Sequence, residues 1–247
     1  MGRVRRKLIP VLLLWSVALP AAAETLWARA VRTNDTTTLA QLLPQQRLPD
    51  EPARDGKTAL MAAAAAGDLV LLRRLLAAGA DPHAVNSKGA SALIYAAWGG
   101  AAAAVAELLA RAVALEQTAS NGWTALTMAA AKGHVECVRL LLAAGARVDP
   151  PDVYGWTPLM RAADRHRDGV VEVLVRDGGA SLTAGNAQGQ TALHAAAAAG
   201  NRSTYALLLQ LGADPERRDF AGHSPRDVVA AGAWDNPPGS PAAAGSN

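Results

Sequence analysis

Cysteine is almost missing from this sequence. Cys137 stands alone, which excludes an internal disulfide framework and a thiolate-built zinc cluster. Aromatic residues make up only 4% of the chain, with a single phenylalanine, so each large ring can be weighed individually. An excess of one charge is also lacking once the N-terminus is set aside. The whole chain has 24 Lys+Arg against 21 Asp+Glu, but Arg3, Arg5, Arg6 and Lys7 fall in residues 1–23, which hold no acid. Less those four, 20 bases face 21 acids. The basic character therefore belongs to the N-terminal segment, and a nucleic-acid or polybasic membrane partner loses its main support. No apolar run after residue 24 reaches the roughly 20 residues that a membrane-spanning helix needs.

The first 23 residues have the layout of a cleavable secretory signal peptide: a positive Met1–Lys7, a twelve-residue apolar run Leu8–Leu19, and small Ala21, Ala22 and Ala23 before Glu24. The expectation is export to a periplasm or the extracellular space, with no stable membrane insertion after cleavage.

What fills the rest is a repeat. Gly56, Gly89, Gly122, Gly155, Gly189 and Gly222 lie 33, 33, 33, 34 and 33 residues apart. Two positions on, each is followed by a hydroxyl: Thr58, Ser91, Thr124, Thr157, Thr191 and Ser224. Two further on come Leu60, Leu93, Leu126, Leu159 and Leu193, and then alanine pairs such as Ala63/Ala64 and Ala129/Ala130.

At these positions the sequence resembles the ankyrin repeat family, most closely in GWTALTMAAAKGHVECVRLLLAAGA (residues 122–146) and GQTALHAAAAAG (residues 189–200). The resemblance implies an all-α solenoid of stacked helix–turn–helix units with β-turn fingers, the fingers and first helices lining a concave side. The residues support this on their own terms. Each glycine permits the positive φ of a tight turn, and the following Thr or Ser can cap a helix by accepting a backbone N–H. Paired alanines let neighbouring helices approach, and leucines fill the seam between units. Gly79, Gly145 and Gly212 sit where a helix C-terminus calls for a left-handed residue.

The expected organisation is a signal peptide over 1–23, an N-terminal capping helical pair over 24–53, a solenoid over 54–234 and a disordered tail over 235–247. The cap consists of Leu26–Arg32 and Thr37–Leu43, and Trp27 and Trp234 seal the two ends of the stack. Two units depart from the pattern. The second lacks a glycine stop after Leu109, and the fourth is one residue longer and replaces the inter-helix glycine turn with the charged run ADRHRDG.

No catalytic constellation is legible. No G-x-S-x-G occurs, and His83, His134, His166, His194 and His223 do not pair at metal-ligand spacing on one helix face. His134 and His194 read as turn and cap residues, and Cys137 as a small buried side chain. We therefore expect no catalytic residue, cofactor or metal.

Binding should use the positions the pattern leaves free. The large residues there cluster in units two to four: Tyr95, Trp98, Trp123, Met128, Lys132, Tyr154, Trp156, Arg161 and Arg165. These are types enriched at interfaces, although some of the tryptophans could instead cover the alanine-rich groove or stack on neighbouring fingers. The expected patch centres on Trp98, Trp123 and Trp156, with Lys132, Arg161 and Arg165 favouring an acidic rim on a partner protein. The resulting reading is a monomeric, non-enzymatic adaptor or scaffold. Alternatives are a periplasmic inhibitor or immunity protein, and an accessory to an exported enzyme such as a catalase, the last implied by resemblance to bacterial periplasmic ankyrin proteins. Because Leu126 should fill a seam, Leu126→Ala is expected to cost about 2–5 kcal/mol in a urea melt, and a loss below about 0.5 kcal/mol would contradict its burial.

Overall fold

The computed structural model describes residues 24–45 and 49–233. The proposed signal peptide, part of the loop after the N-terminal cap, Trp234 and the proposed tail lie outside the described residues. Helices come in antiparallel pairs: α1 (Leu26–Thr33) with α2 (Thr36–Leu42), α3 (Ala59–Ala66) with α4 (Leu69–Ala77), and α5 (Ala92–Gly99) with α6 (Ala102–Leu109). Next come α7 (Ala125–Lys132) with α8 (Val135–Ala143), α9 (Pro158–Asp164) with α10 (Asp168–Arg176), and α11 (Ala192–Ala198) with α12 (Arg202–Gln210). The last is α13 (Pro225–Val228), continued by one wide helical turn over Val229–Ala233. Among the described residues the β-structure is a single bridge, Val85 with Ser91.

Helices this short do not persist alone in water, so their ends and their neighbours hold them. The hydroxyls of Thr58, Ser91, Thr124, Thr157 and Ser224 each accept the backbone N–H three residues on, at the start of α3, α5, α7, α9 and α13. At α11 the arrangement is reversed, with the Thr191 N–H donating to His194 Nδ1 at 3.1 Å. The other ring nitrogen of His194 lies 3.1 Å from the His223 carbonyl oxygen, and burial holds this imidazole below its ordinary value of 6.5. Trp27 is buried and donates its indole N–H to the Glu51 carbonyl, which makes it the expected seal at the N-terminal end.

The fingers are tied into a row by the backbone. In each, the residue two before the glycine donates its N–H to a carbonyl of the preceding finger: Ser87 to Asp55 (2.9 Å), Ser120 to Lys88 (2.7 Å), Val153 to Asn121 (3.2 Å), Ala187 to Tyr154 (3.3 Å) and Phe220 to Gln188 (3.0 Å). Gly122 shows why the position between them is glycine. Its φ is +79°, and a Cβ there would lie 2.8 Å from the Val153 nitrogen, so both conformation and space exclude a side chain. Within fingers, a side-chain oxygen stands in for a missing backbone partner. Asn86, Asp152, Asn186 and Asp219 each accept two backbone N–H groups through one oxygen.

Leu60, Leu93, Leu126, Leu159 and Leu193 are all buried to within 1% of complete, where the repeat placed them. The first helices bury mostly alanine, with these leucines and the residue after each (Met61, Ile94, Thr127, Met160 and His194), while the second helices bring Leu71, Leu72, Leu75, Val105, Val138, Leu141, Val171 and Leu174. Small residues on one side and large ones on the other bring the first helices closer together than the second, which bends the stack. The approach is tightest at α5. A Cβ on Gly99 would lie 2.1 Å from the Ala65 carbonyl oxygen of α3. Gly99 is thus a packing position, where a side chain would collide with the neighbouring helix.

The two irregular units keep the register by other means. The turns between paired helices hold left-handed Gly67, Gly100, Gly133 and Gly200, and His166 takes this role in the fourth unit at φ 55°. The exits from second helices hold left-handed Gly79, Gly145, Gly179 and Gly212, and in the second unit Ala112 does so at φ 51°. The charged run therefore preserves the turn. The extra residue of the fourth unit sits instead at the exit of α10, where Asp177, Gly178 and Gly179 form a wider turn closed by Ala180 N–H on the Leu174 carbonyl. A left-handed alanine is strained by its Cβ. Ala112→Gly should stabilise the fold by about 0.5–1 kcal/mol in a urea melt despite glycine's extra unfolded-state entropy. Gly145→Ala at the equivalent position should destabilise it.

Candidate protein-binding face

The sequence-expected residues fall into two groups and one outlier. Tyr95, Trp98 and Met128, from α5 and α7, line a concavity of about 450 Å3 together with Asn34, Lys57, Asn86, Lys88 and Ile94. Trp98 leaves 43% of its surface exposed, and the Lys132 ammonium stands 5.5 Å from its ring centroid. Tyr95 accepts a hydrogen bond from Asn86 Nδ2 at 3.0 Å and faces Lys57 Nζ, 5.3 Å from the phenol centroid. These contacts position both rings by their edges and faces while leaving Trp98 open to solvent.

The second group forms around Asp152, whose side chain is fully buried. One carboxylate oxygen accepts the backbone N–H groups of Tyr154 (2.9 Å) and Trp156 (3.0 Å). The other accepts the Trp123 indole N–H at 3.1 Å and Arg161 Nε at 2.9 Å, with a second guanidinium nitrogen of Arg161 on the same oxygen. The guanidinium also lies 4.5 Å from the Trp156 ring centroid and 5.3 Å from that of Trp123, within cation–π range of both. So Trp123, Trp156 and Arg161 are largely committed to one another. The charge on Arg161 is compensated internally by Asp152, so it offers little to the acidic rim of a partner.

Tyr154 remains 64% exposed at a finger tip. Trp156 also walls a second concavity of about 370 Å3, with Asp164, His166, Gln190 and His194. Arg165 belongs to neither group. It is exposed, with Nε 3.9 Å from Asp164 Oδ2.

Two residues that shape this face, Asp152 and Lys57, do not stand out in the sequence. Asp152 looked like any turn residue, because its role depends on partners from three different stretches of chain. Lys57 carried a usable signal: it occupies the same register, one past the finger glycine, as Trp123 and Trp156. It is only 5% exposed, and its ammonium meets Asn34 Oδ1 at 2.5 Å.

The chemistry these groups offer is recognition. Among the described residues no cluster of three His, Cys, Asp or Glu side chains could hold a metal ion. Cys137 is buried, and burial pushes its thiol up, away from the thiolate a nucleophile needs. No helix among the described residues is long and apolar enough to cross a membrane.

Stacked helical pairs, a finger row and a ring-lined groove define a repeat solenoid. Residues 27–115 and 105–186 match the family model for ankyrin repeats in three copies, and residues 188–220 match that for a single ankyrin repeat. The chain belongs to the ankyrin repeat family. The crystal structure of the human ASB11 ankyrin repeat domain superposes with a TM-score of 0.73 at 28% identity, covering 83% of this chain and 91% of that one. A protein of Oryza sativa subsp. japonica, zinc finger CCCH domain-containing protein 50, is 46% identical over 82 residues, 31% of this chain. The chain spans 12% of that relative's length. Ankyrin repeats are in general protein–protein interaction modules and typically not enzymes.

The Asp152 knot should be a stability element. Asp152→Ala strands Arg161 and two backbone N–H groups, with an expected loss of about 2–4 kcal/mol in chemical denaturation and a red-shifted tryptophan emission.

Proposed function

We propose that this protein is an exported adaptor, working in a periplasm or outside the cell, that binds a partner protein through the groove between its fingers and first helices. The observation that carries the reading is the concavity walled by Tyr95, Trp98 and Met128. A half-open indole beside a tyrosine and a methionine, held on a stacked and therefore rigid frame, is the composition of an interface core. Export rests on the arrangement of residues 1–23: four positive charges, an apolar run and small residues before Glu24.

The binding test uses Trp98→Ala, because that ring is open where Trp123 and Trp156 are engaged with Asp152. Crosslinking in the native compartment followed by mass spectrometry should recover a partner with the native chain and lose it with Trp98→Ala. The unfolding temperature should move by no more than about 2 °C. Retention of the same partner would refute the groove. Cell fractionation tests export: the full chain should appear outside the cytosol, and a chain lacking residues 2–23 should stay inside.

A further inference from the structure

Past residue 23 the sequence has three lysines, Lys57, Lys88 and Lys132, and the fold brings all three to one concavity. Lys57 and Lys88 line it, and Lys132 stands over the ring of Trp98, one of its walls. Elsewhere the positive side chains are arginines, several of them matched to acids: Arg32 with Glu24, Arg73 with Glu107, Arg139 with Asp177, Arg161 with Asp152 and Arg226 with Glu216. Among the described residues, none of the three lysines has a carboxylate within ion-pair distance.

We propose that this concavity receives an acidic peptide segment of the partner protein, with an apolar anchor residue seated against Ile94, Trp98 and Met128 and flanking carboxylates held by Lys57, Lys88 and Lys132. The inference rests on the groove being a protein-binding face and specifies what that face selects.

Lys57 argues most directly for an anionic occupant. Lys57 as a residue is only 5% exposed, and its ammonium has one neutral acceptor in Asn34 and the face of Tyr95 as company. Asp55 acts on it only through space, and burial lowers its pKa. A buried charge without a counter-ion is costly, and an arriving carboxylate supplies one. Tyr95 reinforces this: its oxygen already accepts from Asn86 Nδ2, so its own hydrogen is left for an acceptor. The anchor follows from the walls. A free inorganic anion would leave Ile94, Trp98 and Met128 uncovered, whereas about 450 Å3 is room for side chains of a peptide and is within the usual range of ligand sites. Lysines suit the task because the ammonium is a mobile point charge that tolerates varied carboxylate positions, unlike the fixed fork of arginine.

The test is fluorescence anisotropy with the purified protein and a peptide carrying fluorescein on its N-terminal amine, fluorescein-Gly-Gly-Asp-Glu-Leu-Phe-Asp-Glu-amide, at about 0.05 M and 0.3 M salt. Saturable binding that weakens with salt is expected. Replacing the four acids by lysine, or the Leu-Phe anchor by Ser-Ser, should weaken it at least about tenfold. The doubly reversed variant K88E/K132E, altered at two exposed positions, should keep its unfolding temperature. It should bind the acidic peptide at least about tenfold more weakly and gain affinity for the basic one. No binding by the acidic peptide, equal binding by the basic or anchorless peptide, or indifference of K88E/K132E would overturn the proposal. If any of these occurs while Trp98→Ala still loses its crosslinked partner, the charge preference fails and the binding groove stands.

Discussion

Stacking between neighbouring units is the interaction on which every other feature rests. A helix of seven to nine residues has too few backbone hydrogen bonds to repay its own nucleation, and one finger has no hydrophobic interior. The seam leucines and the paired alanines become a core only when the next unit covers them. The backbone ladder along the fingers then fixes the relative position of units that side-chain packing alone would leave free to slide. Rigidity is thus collective, and the groove inherits it: Tyr95, Trp98 and Met128 come from two units, while Asn34 and Lys57 reach the same space from two others.

Much of this was legible in the sequence, for a definite reason. Features set by backbone geometry recur in every unit, so a period of about 33 residues reports them: the left-handed finger glycines, the Thr and Ser caps, the buried leucines. Features present in one unit leave no period to detect. The knot of Asp152, Trp123 and Arg161 joins residues 29 and 9 positions apart, and nothing local distinguishes Asp152 from Asp219, which also accepts finger N–H groups. Reading Trp123 and Trp156 as contact residues took account of their size but not of the carboxylate that engages them.

The irregular units carry a related lesson. The second and fourth units each lack a glycine that the pattern supplies elsewhere, yet Ala112 and His166 adopt the left-handed conformation that glycine takes in the other units. Cooperative packing over-determines the turn and forces a less suitable residue into it. Conversely, the inserted residue came to rest at the exit of α10, where it disturbs no seam leucine and no finger hydrogen bond.

The contact of Gly99 with the Ala65 carbonyl has a mechanical meaning for the groove beside it. With no space for even a methyl group between α3 and α5, the inner edge of the stack is already at its closest approach there. This arc can straighten but cannot tighten. A guest is therefore met by a seat of fixed width instead of a hand that shuts around it, and shape must be judged on arrival.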